Sequence, residues 1–312
     1  MSRTFRSGPL GARRICLAAV LLMTTASAAR ASSPTPMLVS VEWLASHLHD
    51  PDLVLLHVGG REAYDTAHVA GARFIQLSDL STPHNMDDGS LMLELPPARE
   101  LRDHLEALGI SDDSRIIVYF GDDWLTPATR VVFTLDYLGL GDRTSLLNGG
   151  MAAWQRAGHT VTADVPTPRR GHLADRPTRP LVVDADYVRA LPQHAHVRLV
   201  DARAAAFYDG VQEASGRRGH VPGAVNIPFT SVVDNQLMIR ADTLALRFRA
   251  AGVLPGDTVV AYCHIGQQAT AVVFAARLLG FPALLYDGSM QDWARHPDFP
   301  VERKSGQAGG NP

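Results

Sequence analysis

The residues best suited to chemistry lie around Cys263, where a short β-type run over residues 259–262 ends. A six-residue turn follows, and the apolar run over residues 271–279 then has a helical pattern. This order predicts a thiol at a helix N-terminus, with several backbone N–H groups curled around it. Such surroundings lower the pKa of a thiol and stabilise an anion built on its sulfur. The competing interpretation is a buried structural cysteine, which is a common role for this residue.

The first 31 residues have the pattern of a secretory signal peptide rather than of a folded domain. Four arginines form a basic head, residues 15–23 are an apolar run, and small residues that suit a peptidase follow it. The apolar run is too short to cross a bilayer, and no later segment has the 18 apolar residues that a span requires. We therefore expect residues 1–31 to be cleaved and the mature protein to be exported, to the periplasm, with no membrane association.

Cleavage changes both the charge and the cysteine content. The full chain carries a net charge of −3, and loss of five arginines leaves 24 basic and 32 acidic residues, a net charge of −8. Nucleic acid is therefore not expected as a partner. Cleavage also removes Cys16 and leaves Cys263 as the only cysteine. A single thiol cannot form an internal disulfide, so the pattern favours a reactive cysteine over a structural one.

The chain contains two copies of one pattern of strands and helices. Matching landmarks occur in the same order in both halves, and only the loop lengths differ. The pairs are His68 and His220, Tyr119 and Tyr262, and Trp154 and Trp293, separated by 152, 143 and 139 residues. Strands alternating with helices predict an α/β fold in which each copy is a mainly parallel sheet flanked by helices. We place the copies at residues 37–160 and 181–304, with a linker at 161–180 and a flexible tail at 305–312.

Four stretches of the second copy, in this order, resemble the two-domain form of the rhodanese-like sulfurtransferases. They are residues 199–203, 219–228, 262–269 and 288–293, followed by Pro297 and residues 300–302. With the weaker first copy, the resemblance covers nearly the whole mature chain. Each stretch is weak evidence by itself, but four in the right order are specific.

The resemblance implies a catalytic role for Cys263, the first residue of a six-residue loop. In that family the cysteine takes a sulfane sulfur from a small anionic donor, of the thiosulfate or 3-mercaptopyruvate type. It holds the sulfur as a persulfide and passes it to a thiophilic acceptor such as cyanide or a thiol. Phe120 occupies the equivalent position in the first copy and cannot act as a nucleophile, so this copy is predicted to be non-catalytic. His57 and Gly59 stand there in place of Asp201 and Arg203.

The loop after Cys263 is predicted to hold the persulfide. Its residues are His264, Ile265, Gly266, Gln267, Gln268 and Ala269. Backbone amides from Ile265 onward supply donors, Gly266 lets the backbone approach the sulfur, and Ala269 leaves room. The two glutamines are either additional donors or solvated turn residues. His264 is either a cation or donor-recognition group, or a side chain that faces solvent.

An anionic donor requires a cationic group near the mouth of the site. Arg217 and Arg218, which precede the turn at Gly219, are the candidates, with a solvated charged face as the alternative. Relatives that use thiosulfate or mercaptopyruvate often carry an arginine where this chain has Phe207. The resemblance therefore does not tell which of the two donors this protein prefers. We interpret Asp201 and Arg203 as an ion pair that ties a strand to its loop. Trp154 and Trp293 are assigned to the core.

Two other functions were compared with sulfur transfer. A cysteine-based phosphatase needs an arginine six positions after the cysteine to clamp phosphate. Position 269 is alanine, which excludes this chemistry. A sulfur carrier or protein-binding module that uses the same fold without turnover stays open. No metal or other cofactor is expected, because the sequence has neither a Cys or His cluster at ligand spacing nor a phosphate-binding nucleotide loop.

Overall fold

Long apolar runs build the central strands of two parallel sheets. In the computed structural model, which describes residues 1, 2, 4, 36–85, 89–121, 124–191 and 194–304, these strands are almost entirely buried. Strands covered on both faces have no need of alternating polar residues, which explains the continuous apolar runs. The predicted signal peptide lies outside the described residues except for residues 1, 2 and 4, and the predicted tail lies wholly outside them.

The first copy forms a five-stranded parallel sheet. Its elements are β1 Leu38–Val39, α1 Val41–His47, β2 Leu53–Val58, α2 Arg61–Thr66, β3 Arg73–Ile75, α3 Ala98–Ala107, β4 Arg115–Phe120, α4 Leu125–Tyr137, β5 Thr144–Leu147 and α5 Gly150–Arg156. The strand order is β1-β5-β4-β2-β3, and each pairing is parallel.

The second copy repeats this arrangement. Its elements are β6 Val182–Val183, α6 Ala185–Ala190, β7 Val197–Asp201, α7 Ala205–Tyr208, β8 Glu213–Ala214, β9 Arg217–Arg218, β10 Val225–Asn226, β11 Val233–Asp234, β12 Leu237–Met238, α8 Ala241–Ala250, β13 Thr258–Tyr262, α9 Ala269–Leu278, β14 Ala283–Tyr286 and α10 Ser289–Trp293. Its sheet has the order β6-β14-β13-β7-β10, again parallel throughout. The predicted α/β fold of two similar copies is confirmed. The hairpins β8–β9 and β11–β12 were not predicted.

Helices α4 and α9 join the two copies. The helices pack against each other, and one continuous apolar core extends from the first sheet through both helices to the second. The outer face of each sheet has a separate core, in which Trp154 and Trp293 are buried as predicted. Behind the helices the buried carboxylate of Asp136 forms ion pairs with Arg179 and Arg277. No helix among the described residues is long and apolar enough to cross a membrane.

Candidate active site

Cys263 lies directly after the central strand β13 and is completely buried. Its N–H donates to Ser289 Oγ at 3.0 Å, and the Ser289 hydroxyl donates to the Tyr286 carbonyl at 2.9 Å. Ser289 is also completely buried and has a left-handed backbone, with φ of +54°. The strand and Ser289 together fix the cysteine backbone at the carboxyl edge of the sheet, where α/β proteins bind ligands.

Four carbonyl groups of the loop after Cys263 are each engaged by a donor. The Cys263 carbonyl accepts the Met290 N–H at 3.1 Å, and the His264 carbonyl accepts the Gln291 N–H at 3.0 Å. The Gly266 carbonyl accepts from the Arg130 guanidinium at 3.4 Å, and the Gln267 carbonyl accepts from the Thr270 hydroxyl at 2.6 Å. In a trans peptide, a carbonyl and the N–H that follows it point in opposite directions. The amides of residues 264, 265, 267 and 268 therefore face away from these partners.

The N–H groups of residues 264–269 form a row of six available donors. Among the described residues, none of these six groups has a hydrogen-bond acceptor. The row leads into the N-terminus of α9, where the helix dipole adds partial positive charge. A row of backbone N–H groups without protein acceptors, ahead of a helix N-terminus, is typical of a site that receives an anion. The arrangement suits negative charge on an atom bonded to the Cys263 sulfur.

Gly266 has the backbone conformation that the loop requires. Its φ is +82°, and a Cβ at this position would lie 2.5 Å from the Asp287 carbonyl oxygen and 2.6 Å from its Oδ1. Only glycine fits here without displacing the chain, because the space for a Cβ is taken by Asp287. Ala269 is completely buried at the start of α9.

His264 is half-buried. Its imidazole ring and the Phe207 ring meet edge to face, and their centroids are 4.6 Å apart. Burial, with a smaller contribution from the nearby positive charge of Arg203, lowers the pKa of His264 to about 4. The imidazole is therefore neutral near neutral pH. The interpretation of His264 as a cation was wrong, because sequence alone does not reveal the loss of solvent around the ring.

The two glutamines of the loop differ in their surroundings. The Gln267 side chain donates to Thr126 Oγ1 at 3.1 Å, so it is a structural donor rather than a solvated turn residue. Gln268 precedes α9, and its Oε1 atom is buried with no hydrogen-bond partner among the residues that the structure describes. Neither glutamine therefore matches the solvated alternative.

Side chains of the first copy also reach the loop. Arg130, on α4, is almost completely buried and forms an ion pair with Asp287 beside Gly266. The same guanidinium donates to the Leu93 carbonyl at 2.6 Å, and Asp287 Oδ2 accepts the Leu95 N–H at 3.2 Å. The long polar connection of the first copy thus contacts the Arg130–Asp287 ion pair, which adjoins Gly266.

Asp201 and Arg203 form the predicted ion pair beneath the loop. The Arg203 Nη2 atom lies 2.6 Å from Asp201 Oδ2 and also donates to the Gly219 carbonyl at 2.8 Å. The Tyr262 hydroxyl donates to Asp201 Oδ2 at 2.7 Å and accepts the Val221 N–H at 3.0 Å. The prediction that the pair ties strand to loop is confirmed.

The first copy replaces this pair with a neutral contact. His57 pairs with Tyr119 across β2 and β4, as Asp201 pairs with Tyr262 across β7 and β13, so Phe120 occupies the position of Cys263. The Tyr119 hydroxyl accepts the Val69 N–H and lies 3.1 Å from His57 Nδ1. Among the described residues the His57 Nε2 atom is buried and has no hydrogen-bond partner, and burial lowers the pKa of His57 to about 4.

The two tentative substrate-binding arginines are held by groups outside the loop. The Arg217 guanidinium donates to the Phe299 carbonyl at 2.6 Å. Arg218 donates to the Val211 carbonyl at 2.6 Å and lies 3.5 Å from Glu213. The structure does not bring either side chain into contact with residues 263–269.

Sequence reasoning missed the residues that hold the loop from outside. They are Thr126, Thr129, Arg130, Asp287 and Ser289. Two signals were available: Arg130 interrupts an apolar helical run, and Ser289 stands 139 residues after Gly150, the offset of the two tryptophans. Gly150 and Ser289 have the same φ of +54°, so the serine keeps a backbone that favours glycine.

Comparison with known proteins assigns the same pattern to both copies. The rhodanese-like domain family matches residues 40–157 and 184–296. The thiosulfate sulfurtransferase of Azotobacter vinelandii is 31% identical over 283 residues, which cover 86% of this chain and 97% of that protein. A probable 3-mercaptopyruvate sulfurtransferase of Pseudomonas aeruginosa is 34% identical and covers 85% of this chain and 97% of its own length.

Solved structures agree with the fold. The crystal structure of the 3-mercaptopyruvate sulfotransferase SseA from Escherichia coli superposes with a TM-score of 0.72 and 29% identity, over 82% of this chain and 99% of that one. An anaerobic ergothioneine biosynthesis enzyme from Chlorobium limicola has a TM-score of 0.73 and 23% identity, over 86% of this chain and 70% of that one. The second likeness concerns the fold alone.

Proposed function

The chain belongs to the rhodanese-like family and is a sulfurtransferase, and we propose that it transfers a sulfane sulfur through a persulfide on Cys263. The donor is a small anion of the thiosulfate or 3-mercaptopyruvate type, and the acceptor is thiophilic, such as cyanide or a thiol. The observation that carries this proposal is the row of six amides, residues 264–269, which have no acceptor in the part of the chain that the structure describes and which directly follow a buried thiol. The names of the two curated relatives support the donor types.

With thiosulfate as donor, the proposed reaction has two displacements. The Cys263 thiolate attacks the outer sulfur of thiosulfate, the S–S bond breaks, and its electron pair leaves with sulfite. Cyanide then attacks the outer sulfur of the Cys263 persulfide, which gives thiocyanate and returns the thiolate. Negative charge lies on the outer sulfur between the two steps. Loop amides stabilise this charge without reorganisation, because the carbonyls that precede the amides of residues 264, 265, 267 and 268 are already held by hydrogen bonds.

We also propose that the mature protein acts after export, in the periplasm. The support is the basic head and short apolar run of residues 1–31. Expression of the full chain with a processing assay on the secreted fraction tests this, since export predicts a new N-terminus close to residue 32. A full-length product that stays in the cytoplasm would contradict it.

Intact-mass spectrometry tests the transferase proposal directly. Protein lacking residues 1–31 is mixed with thiosulfate, 3-mercaptopyruvate or a persulfide donor, and we expect the mass to increase by one sulfur atom. Addition of cyanide or a thiol should remove that sulfur, and Cys263→Ser should take up none. No mass change with any of the donors would refute the proposal. Loading without release to any acceptor would instead support the carrier module without turnover.

A further inference from the structure

The catalytic loop belongs to the second copy, but three contacts reach it from α4 of the first. Gln267 donates to Thr126 Oγ1 at 3.1 Å, Thr129 Oγ1 lies 2.8 Å from Thr270 Oγ1, and Arg130 reaches Gly266. The Thr126, Thr129 and Arg130 side chains are all buried. They stand at positions i, i+3 and i+4 near the N-terminus of α4, which places them on one face of the helix.

The two threonine hydroxyls link α4 to the loop through a shared contact. The Thr270 hydroxyl donates to the Gln267 carbonyl at 2.6 Å. The Thr129 hydroxyl lies 2.8 Å from Thr270 Oγ1 and 3.0 Å from the Thr126 carbonyl, so its single proton is shared between these two acceptors. The contact with Thr129 therefore helps to hold the Thr270 hydroxyl against the Gln267 carbonyl. The Gln267 side chain is held at the same time by Thr126.

Arg130 completes the support on the other side of Gly266. Its charge is balanced by Asp287, which is itself 8% exposed, and the guanidinium donates to two carbonyls, those of Gly266 and Leu93. A planar group with several donors in fixed directions can hold such separate partners at once. By fixing the Gly266 carbonyl, Arg130 also orients the peptide that carries the Gln267 amide.

We infer that the first, non-catalytic copy works in sulfur transfer by positioning the Cys263 loop, with Thr126, Thr129 and Arg130 as positioning residues. This inference rests on the proposed function. None of the three needs to touch the substrate, because each acts through Gly266, Gln267 or Thr270. The orientation of the amides at 267 and 268 is then a property of the interface between the copies, not of the loop alone.

The main test replaces Thr126 with valine, which keeps the shape and removes the oxygen. One hydrogen bond is lost, so we expect kcat/KM to fall roughly 3- to 10-fold. Hydrogen–deuterium exchange of the peptide that contains residues 264–269 should become faster. Thr126→Ser should restore both values. The matched control is Thr134→Val on the same helix, whose hydroxyl bonds the Arg130 carbonyl within α4 and should leave both values unchanged.

A double-mutant cycle identifies the route of the effect. If Thr126 acts through Gln267, Thr126→Val should have no further effect on kcat/KM or exchange in a Gln267→Leu background. Arg130→Lys keeps the charge opposite Asp287 and should also speed exchange of the loop, because lysine lacks the planar fork. If Arg130→Lys fails to fold, the Thr126→Val and Thr134→Val variants still test whether α4 positions the loop.

The results that overturn the inference are distinct from those that refute the proposed function. Equal loop exchange and kcat/KM in Thr126→Val and Thr134→Val would overturn the positioning role, as would an undiminished effect in the Gln267→Leu background. If the wild-type protein takes up no sulfur, the proposed function fails. The exchange measurements then still test whether α4 holds the loop.

Discussion

Replacement of Gly266 by alanine should separate backbone strain from displacement of the Cys263 loop. The left-handed conformation costs a residue other than glycine about 1–2 kcal/mol. The new Cβ would also lie 2.5 Å from the Asp287 carbonyl oxygen, whereas carbon–oxygen contacts are ordinarily about 3.3 Å or longer. The loop must therefore move by somewhat less than 1 Å. A misplacement of about that size costs on the order of 10²-fold in rate.

Gly280→Ala is the matched control for this variant. Gly280 has a φ of +83°, close to the +82° of Gly266, and nothing lies within 4 Å of its Cβ position. Both variants should lose about 1–2 kcal/mol in free energy of unfolding from the backbone conformation. Gly266→Ala alone should lose further stability and most of its activity.

The assay measures kcat/KM for transfer to cyanide, with the donor that loads Cys263, and thermal unfolding by circular dichroism. We expect Gly280→Ala to retain the wild-type kcat/KM and Gly266→Ala to lose on the order of 10²-fold. If both variants keep wild-type kcat/KM, the loop tolerates displacement and the argument from the fixed amides fails. If both lose activity equally, the effect comes from global stability rather than from the contact with Asp287.

Two further predictions concern stability. His57 has a pKa of about 4 in the folded protein against an ordinary value of 6.5, so its contribution is present above pH 6.5 and lost as the pH falls toward 4. The free energy of unfolding should fall by about 3 kcal/mol between pH 6.5 and pH 4. Urea titrations at several pH values should show that this free energy depends less on pH in His57→Gln than in wild type. The exposed His172→Gln is the control and should behave like wild type. Arg203→Met leaves the Asp201 carboxylate buried and unpaired and should cost about 3–5 kcal/mol, while Arg203→Lys should cost less. A melting temperature for Arg203→Met equal to that of wild type would contradict the assigned role of the pair.

The fold could be predicted from the sequence because its signals are local or periodic. Apolar runs such as 53–58 and 115–120 indicate buried parallel strands wherever they occur. Repetition of the landmarks then gave the equivalence of Phe120 and Cys263, which the strand register confirms. The short hairpins β8–β9 and β11–β12 carry no comparable apolar pattern. They were therefore missed.

The contacts of the arginine side chains could not be predicted from the sequence. Arg217 and Arg218 were selected because two charges precede a turn near the site, but charge alone does not tell which way a side chain points. Both are held by carbonyls away from the loop. Arg130 was overlooked in an apolar helix, although it contacts Gly266, 136 positions further along the chain.

The sequence by itself determined that Cys263 is the only thiol of the predicted mature chain. It also determined that the thiol stands between a strand and a helix, on a loop whose glycine permits a tight turn. These properties depend on residue types and on neighbours within a few positions. Only the tertiary structure decided which groups hold the loop carbonyls and so turn the amides of residues 264, 265, 267 and 268 away from them. It also decided that His264 is neutral, because desolvation and contacts between distant segments arise from packing, here of α4 against α9.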